Sequence, residues 1–265
     1  MKKLAFIGTG NMGGAIFKAV CTETSPKDIV IYDADAAKCS ELCSKYGCDG
    51  AECAAEAAAQ AEYVIMGVKP NIIRNVLAEI SPVISSEATI VSMAAGITAE
   101  TIRSSLGKNN DIIRIIPNTP CEIGKGLMLL IPCYDISSDK ISEVRAILSP
   151  CGLTGISDET HADACMTIGG CTPAYVYMFI EALADGAVAC GLKRDDALAF
   201  AAKAVEGAAS MVLQSGKHPG ALKDSVCSPG GSTIKGVQIL EDRGFRGSVI
   251  DCIASAYEKN SSLGK

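Results

Sequence analysis

With 265 residues, 48 % of them hydrophobic and 20 % charged, the chain can bury one large or two ordinary cores, which excludes global disorder. A net charge of −6 argues against nucleic-acid binding, which needs a basic face. The most apolar stretch, PAYVYMFIEALADGAVACGL, carries Glu181 and Asp185, so it reads as a buried helix of a soluble protein and not as a membrane crossing.

In chain order, KLAFIG is a short apolar strand and NMGGAIFKAVCTET a helix behind it. DIVIYD is the next strand, followed by the helix ADAAKCSELCSKYG, which Gly47 closes. EYVIMGV, ATIVSMAAG and DIIRIIPN repeat the strand signal, with the helices NIIRNVLAEISPVI and TAETIRSSLG between them. GLMLLIP is a sixth strand, and SDKISEVRAILSPCG a helix before LTGIS. Apolar runs alternating with amphipathic helices predict an α/β fold, a Rossmann-type doubly wound, mostly parallel sheet over residues 1–157.

From about Asp158 no strand signal remains, and residues 158–265 read as an all-α domain. Thr172 is the expected N-cap of a helix with Pro173 at N1, running to Gly191. RDDALAFAAKAVEGAASMVLQSG, STIKGVQILEDRG and GSVIDCIASAYEKN are three more helices. Several are apolar on more than one face, too greasy to stand alone. A second copy of the chain is the expected cover, giving a homodimer.

Gly8-Thr9-Gly10-Asn11-Met12-Gly13 is a G-x-G-x-x-G directly after a strand and opening a helix. Asp33 falls twenty residues past Gly13, at the end of the second strand. That context makes the motif a dinucleotide cradle: Gly8 for the turn, Gly10 for approach to the pyrophosphate, Gly13 for helix–sheet packing. A carboxylate at Asp33 favours the ribose 2′-hydroxyl of NAD over the 2′-phosphate of NADP, and Ala34 offers no arginine to that phosphate. Lys38, a turn further on, is the one cation in reach by sequence. Lys69 in GVKP ends the third strand of the reading, where cofactor and substrate meet in such sheets.

A second glycine-rich turn, Ser228-Pro229-Gly230-Gly231-Ser232-Thr233, opens a late helix and has the makings of another anion cradle. Thirteen cysteines, an odd number with no charged-then-apolar leader at Met1-Lys2-Lys3, fit a reducing cytoplasm. Cys39, Cys43, Cys48 and Cys53 lack the paired spacing of a structural zinc site, so core thiols and no metal are expected. Neither His161 nor His218 has an evident Ser or Asp partner at motif spacing.

Along its full length the chain resembles the pyrroline-5-carboxylate reductases, through FIGTGNMGGAI, GVKP, VSMAAGIT, RIIPNTP, GCTPAYVY and HPGALKDSVCSPGGSTIKGVQILE. The resemblance implies reduction of the C=N bond of 1-pyrroline-5-carboxylate to L-proline with NADH or NADPH, and assembly as a dimer or a decamer of five dimers. It implies cofactor contacts at Ile7, Gly8, Thr9, Gly10, Asn11 and Met12, at Gly67, Val68, Lys69 and Pro70, and at Met93, Ala94 and Ala95. Glu159, Val226, Ser228, Gly231, Ser232 and Thr233 are then the substrate contacts, with the Thr233 hydroxyl placed to support the imine nitrogen. Three departures stand out: Gly169 to Tyr175 reads GGCTPAY where the family has SGSGPAY, Ala54 replaces a frequent asparagine, and Ser225 replaces the asparagine of KDNV.

The second cradle then holds the carboxylate of a cyclic imine and the first holds pyrophosphate, so positioning carries most of the catalysis. A hydroxy-acid dehydrogenase or another imine reductase of the same two-domain plan is one alternative. The former is disfavoured because Gly207 stands where the partner asparagine of Lys203 is required. A non-catalytic dinucleotide sensor is the other alternative, and it would not need the second cradle.

Overall fold

The computed structural model describes residues 2–262 and divides into two compact units: 1–170 together with 257–265, and Cys171–Ala256. The first unit is built on an eight-stranded sheet. Its elements are β1 (Lys2–Ile7), α1 (Asn11–Val20), β2 (Ile29–Tyr32), α2 (Ala36–Tyr46), β3 (Asp49–Gly50), α3 (Ala54–Ala59) and β4 (Ala61–Met66). There follow α4 (Ile73–Ile80), β5 (Thr89–Ser92), α5 (Ala99–Leu106), β6 (Asp111–Ile116), β7 (Gly126–Cys133), α6 (Ser138–Leu148), β8 (Gly152–Ile156) and α7 (Ala162–Met166). The order β3-β2-β1-β4-β5-β6-β7-β8 is parallel except where β7 runs against β6. The chain leaves β1 toward one edge and returns at β4 toward the other, so the β1–β4 boundary is the crossover where such sheets bind ligands.

Period-two alternation explains why these runs become buried strands. Ala5, Ile7, Val64, Met66, Ile90 and Ile112 pack on one face of the sheet, and Leu4, Phe6, Tyr63, Ile65, Val91 and Ile113 on the other. Helix starts and stops follow side-chain chemistry. Asp35, Thr98 and Ser137 cap α2, α5 and α6 by accepting from backbone amides, and Gly47 and Gly107 end α2 and α5 with positive φ.

Three local expectations are corrected. The first helix stops at Val20, four residues short of Thr24, because the Thr22 hydroxyl donates to the Ala19 carbonyl and the chain turns. A short helix, α3, precedes the third long strand, which is therefore β4. Its N-cap is Cys53, whose sulfur accepts from Glu56 N at 3.4 Å, while the Glu56 carboxylate returns to Glu52 N at 2.6 Å. This is a variant of the capping box, with sulfur in place of oxygen and the returning carboxylate on the amide one residue before the cap. Thr172 is the first residue of its helix, not its cap: the residue before it, Cys171, is already helical and ends a π-turn over Thr167–Cys171.

The second unit is helical: α8 (Thr172–Ala189), α9 (Arg194–Ser215), α10 (Pro219–Ser225), α11 (Ser232–Asp242) and most of α12 (Phe245–Ser262). His218 caps α10 by accepting from Gly220 N at 3.1 Å. The unit's buried cluster holds only Ala184, Ala197 and Ala201. Tyr177, Met178, Phe200, Leu213 and Ile250 lie exposed. A chain with so little core beside so much open apolar surface is built to be covered. No helix among the described residues is long and apolar enough to cross a membrane.

The sulfur cap is directly testable. Cys53→Ala should lower stability by about 1 kcal/mol in urea denaturation, whereas Cys53→Ser, which keeps a capping acceptor, should not.

Candidate active site

The glycine loop between β1 and α1 is defined by closeness. Gly8 has φ +91°, and a Cβ there would sit 2.8 Å from the Gly67 carbonyl carbon. A Cβ on Gly13 would lie 2.3 Å from Gly8 O, and one on Gly67 2.2 Å from the same oxygen. Gly10 meets nothing within 4 Å and supplies the N-cap of α1 without any side-chain cap bond. The first-turn amides of α1 are therefore left to a ligand, which suits a pyrophosphate. Val68 packs beside Gly8, whereas Lys69 and Pro70 are exposed just beyond β4.

Asp33 has partners inside the protein. Its Oδ2 accepts from Thr9 N at 2.7 Å and from Thr9 Oγ1 at 2.8 Å, and its Oδ1 accepts from Asp35 N at 3.0 Å. Burial works to raise the Asp33 carboxyl. The Asp35 and Thr9 amides, the Thr9 hydroxyl and the Lys38 charge outweigh it and hold the group below the usual carboxylate range. Oδ2 is thus committed to the fully buried Thr9, and Oδ1 is the oxygen with room for another donor.

Beside Asp33 opens a cavity of about 470 Å³, lined among others by Tyr32, Ala34, Cys39, Cys43 and Glu52. No lysine or arginine is among its lining residues. Sequence reasoning missed Glu52, which lies just before α3; the absence of that helix from the reading hid it. The cysteine cluster divides by role. A Cβ on Gly50 would fall 3.1 Å from Cys43 Sγ and 3.7 Å from Cys39 Sγ, Cys48 is buried nearby, and Cys53 is the cap of α3. Burial raises the thiols of Cys39 and Cys43, so the part of the cavity wall they form is neutral, and it raises that of Cys48 as well.

A second cavity of about 240 Å³ lies beyond β5 and β6, where Met12, Met93, Ala94 and Ala95 converge with Arg114 and Met166. The structure thus gathers the residues of the glycine loop, Gly67, and Met93–Ala95 at one end of the sheet. Arg114, on β6, forms an ion pair through Nη1 with Glu159 Oε2. Cys133 Sγ donates to the other Glu159 oxygen at 3.4 Å, and burial, helped by the Glu159 charge, pushes that thiol up to about 12. His161 is paired after all: its Nδ1 lies 2.8 Å from Asp158 Oδ1, an exposed contact within one turn.

In the second unit, Ser228–Gly231 forms a tight turn in which Gly231 N donates to Ser228 O at 3.0 Å. Gly230 has φ +70°, and a Cβ on Gly231 would fall 2.5 Å from Ser228 Oγ. Gly231 is the N-cap of α11 with no side-chain cap bond, so Ser232 and Thr233 are its first two residues, both exposed. Val226 is exposed on the same approach. Glu159 belongs to the first unit and the other five substrate candidates to the second.

Comparison with known proteins finds one family match in each half of the chain. Residues 159–263 match the family described as pyrroline-5-carboxylate reductase dimerisation, and residues 3–96 match NADP oxidoreductase, coenzyme F420-dependent. The chain is 40 % identical to the pyrroline-5-carboxylate reductase of Escherichia coli, covering 100 % of this chain and 99 % of that one. Its structure is similar to a pyrroline-5-carboxylate reductase from Coxiella burnetii, with TM-score 0.93, 28 % identity and coverage of 100 % and 99 %. It is also similar to the NADP-bound pyrroline carboxylate reductase of Plasmodium falciparum, with TM-score 0.87, 29 % identity and coverage of 100 % and 98 %.

The Asp33 bonds have a pH signature. Because the folded carboxyl titrates below its unfolded value, its stabilisation is fully present above pH about 4 and disappears as pH falls through the folded value. Asp33→Asn should be less stable than the parent at pH 7, and the gap should narrow as pH falls through the folded value of the Asp33 carboxyl in urea titrations.

Proposed function

Because the chain belongs to the pyrroline-5-carboxylate reductase family, we propose that it reduces the C=N bond of 1-pyrroline-5-carboxylate to L-proline, the last step of proline biosynthesis. The full-length match to the Escherichia coli enzyme carries this reading over a hydroxy-acid dehydrogenase or a dinucleotide sensor. The coenzyme, NADH or NADPH, supplies a hydride; the protein's own groups bind, orient and exclude water.

In this reading residues 1–157 serve the dinucleotide and 158–265 serve substrate and self-association. Ile7 to Met12 and Gly67 to Pro70 take the pyrophosphate and its neighbours, and Met93 to Ala95 the nicotinamide. The open face of Gly10 and the uncapped start of α1 support that assignment. The Ser228–Thr233 turn takes the substrate carboxylate on the uncapped start of α11, and Val226 and Glu159 contact the rest of the substrate. Thr233 supports the ring nitrogen as the imine becomes an amine. The match to a dimerisation family and the open apolar helices support a homodimer. The stacking of five dimers into a decamer and action in the cytoplasm are part of this proposal.

For the coenzyme we favour NADH. Asp33 and Glu52 border one cavity and no lysine or arginine lines it, so a 2′-phosphate of about −2 charge meets repulsion there.

The deciding assay is spectrophotometric oxidation of NADH and NADPH with 1-pyrroline-5-carboxylate; tight coenzyme binding without turnover would favour the sensor instead. Thr233→Val, which keeps shape and β-branching, should lower kcat/KM by roughly ten- to a hundred-fold with folding intact. Unchanged kinetics would reduce the hydroxyl to a surface group.

The parent enzyme should show a higher kcat/KM with NADH than with NADPH. The double change Asp33→Asn with Ala34→Arg should move that preference toward NADPH, by removing one charge and adding a bidentate partner for phosphate. A parent that already prefers NADPH would place the phosphate on Lys38 or elsewhere.

A further inference from the structure

Arg114 stands in the middle of a strand where neither packing nor stability calls for it. Its neighbours of like parity, Ile112 and Ile116, are buried aliphatic residues in the core on that face of the sheet. Arg114 itself is only 8 % exposed. A guanidinium there must be stripped of water, and an ion pair recovers that cost poorly, so an aliphatic side chain would serve the sheet better. Among the described residues its one side-chain bond is to Glu159, through Nη1, out of five N–H donors on the group. It also lines the cavity shared by Met12, Met93, Ala94 and Met166.

Glu159 is fixed from both sides. Arg114 holds Oε2 and the Cys133 thiol lies 3.4 Å from Oε1, its one hydrogen shared with the Ile131 carbonyl at 3.2 Å, while the residue itself sits in a single turn, Glu159–His161, started by the Asp158 cap. Its side chain is still 41 % exposed. Arg114 lines a cavity whose other walls are methionine, alanine, isoleucine, proline and glycine, and the half-open carboxylate it holds is suited to meet a cation there. On the reductase reading, on which this inference rests, the cation is the substrate's ring nitrogen in its protonated form. Hydride addition to the iminium carbon breaks the C=N π bond, and that electron pair becomes the nitrogen lone pair. The product is a neutral secondary amine, and no further proton is required.

We propose that Arg114 is a positioning residue: it orients Glu159 as a fixed anion at the edge of the Met12–Met93–Met166 cavity, where Glu159 meets the cationic iminium nitrogen. Arg114 thereby acts on the imine and not on coenzyme binding.

The test compares Arg114→Met, Arg114→Lys and Glu159→Gln with the parent in three measurements: kcat/KM for the imine, KM for NADH, and Tm. Calorimetric binding of L-proline, whose ring nitrogen is also cationic, is measured alongside. Arg114→Met should lose roughly a hundred-fold in kcat/KM for the imine, as misplaced groups do, and should weaken proline binding. Its KM for NADH should stay within about two-fold, the scatter that leaves binding energy essentially unchanged. Its Tm should be equal or higher, since a buried ion pair is being replaced by an apolar side chain. Arg114→Lys should recover part of the activity, keeping the charge without the planar fork. Glu159→Gln should reproduce the loss and make a second change at Arg114 nearly silent.

Unchanged imine kinetics in Arg114→Met overturns the proposal. So does a fall in Tm with parallel loss of NADH and imine binding that lysine fails to rescue, because that is a purely structural role. If Arg114→Met does not fold, Glu159→Gln decides alone: a loss confined to imine and proline supports the proposal, and full activity overturns it. A parent enzyme that neither turns over the imine nor binds proline overturns the reductase reading and this inference with it. A parent that works beside variants that work equally well overturns this inference only.

Discussion

The constraint on which the first unit depends is the meeting of three backbones at Gly8, Gly13 and Gly67. The Gly8 carbonyl sits where a Cβ on either Gly13 or Gly67 would have to be. No residue with a side chain can stand at those two positions without moving the loop, so the start of α1 is drawn against the ends of β1 and β4. That approach aims the helix N-terminus at the crossover of the sheet, the one place where the loops on either side diverge and leave a crevice. The Thr9–Asp33 bonds extend the same constraint sideways, tying the loop to the end of β2. Phosphate and ribose sites are therefore set by one piece of packing.

Much of this was legible in the residues. The glycine spacing, the acid after the second strand and the alternation of apolar runs led to the sheet, the loop and the family. What escaped has a common physical cause: the deciding group was chemically unusual for its task. α3 went unseen because its cap is a cysteine and the helix is six residues of mostly alanine, with no apolar stripe to give a period. Thr172 looked like a cap because hydroxyl-then-proline is the usual signature, but a π-turn had already begun the helix upstream. Asp33 was read as a free ribose ligand, yet sequence spacing cannot show that the residue two places past Ile7 would take one of its oxygens. Arg114 was invisible as a site residue because a lone arginine inside DIIRIIPN reads as a strand interruption.

The charges of the first unit are arranged by position along the sheet. At the β2 end the cavity wall is carboxylate and neutral thiol, with Lys38 acting on Asp33 from α2. At the β6 end a buried cation is balanced by a single half-exposed carboxylate. One end presents carboxylates and neutral thiols, and the other a cation and an anion next to an apolar chamber. Both arrangements come from a chain whose formal charge is −6, so net charge says little about what either site accepts.

The two glycine turns share a further device. In α2, α5 and α6 a carboxylate or hydroxyl satisfies a first-turn amide, and in α3 a thiol does so. α1 and α11 begin instead on Gly10 and Gly231, neither of which has a side chain to offer, and in both a positive-φ glycine at Gly8 or Gly230 sets up the turn. An Asp or Ser cap would stabilise each helix by about 1 kcal/mol. It would also occupy the amides that an anion must reach, and an Asp would repel the anion outright. Leaving the cap empty gives up local stability for a vacant, positively polarised helix end. α4, α7, α8 and α9 also start without a side-chain cap bond, so the feature that marks the later turn as a binding element is narrower: like the phosphate motif, it pairs a glycine N-cap with a positive-φ glycine just before it.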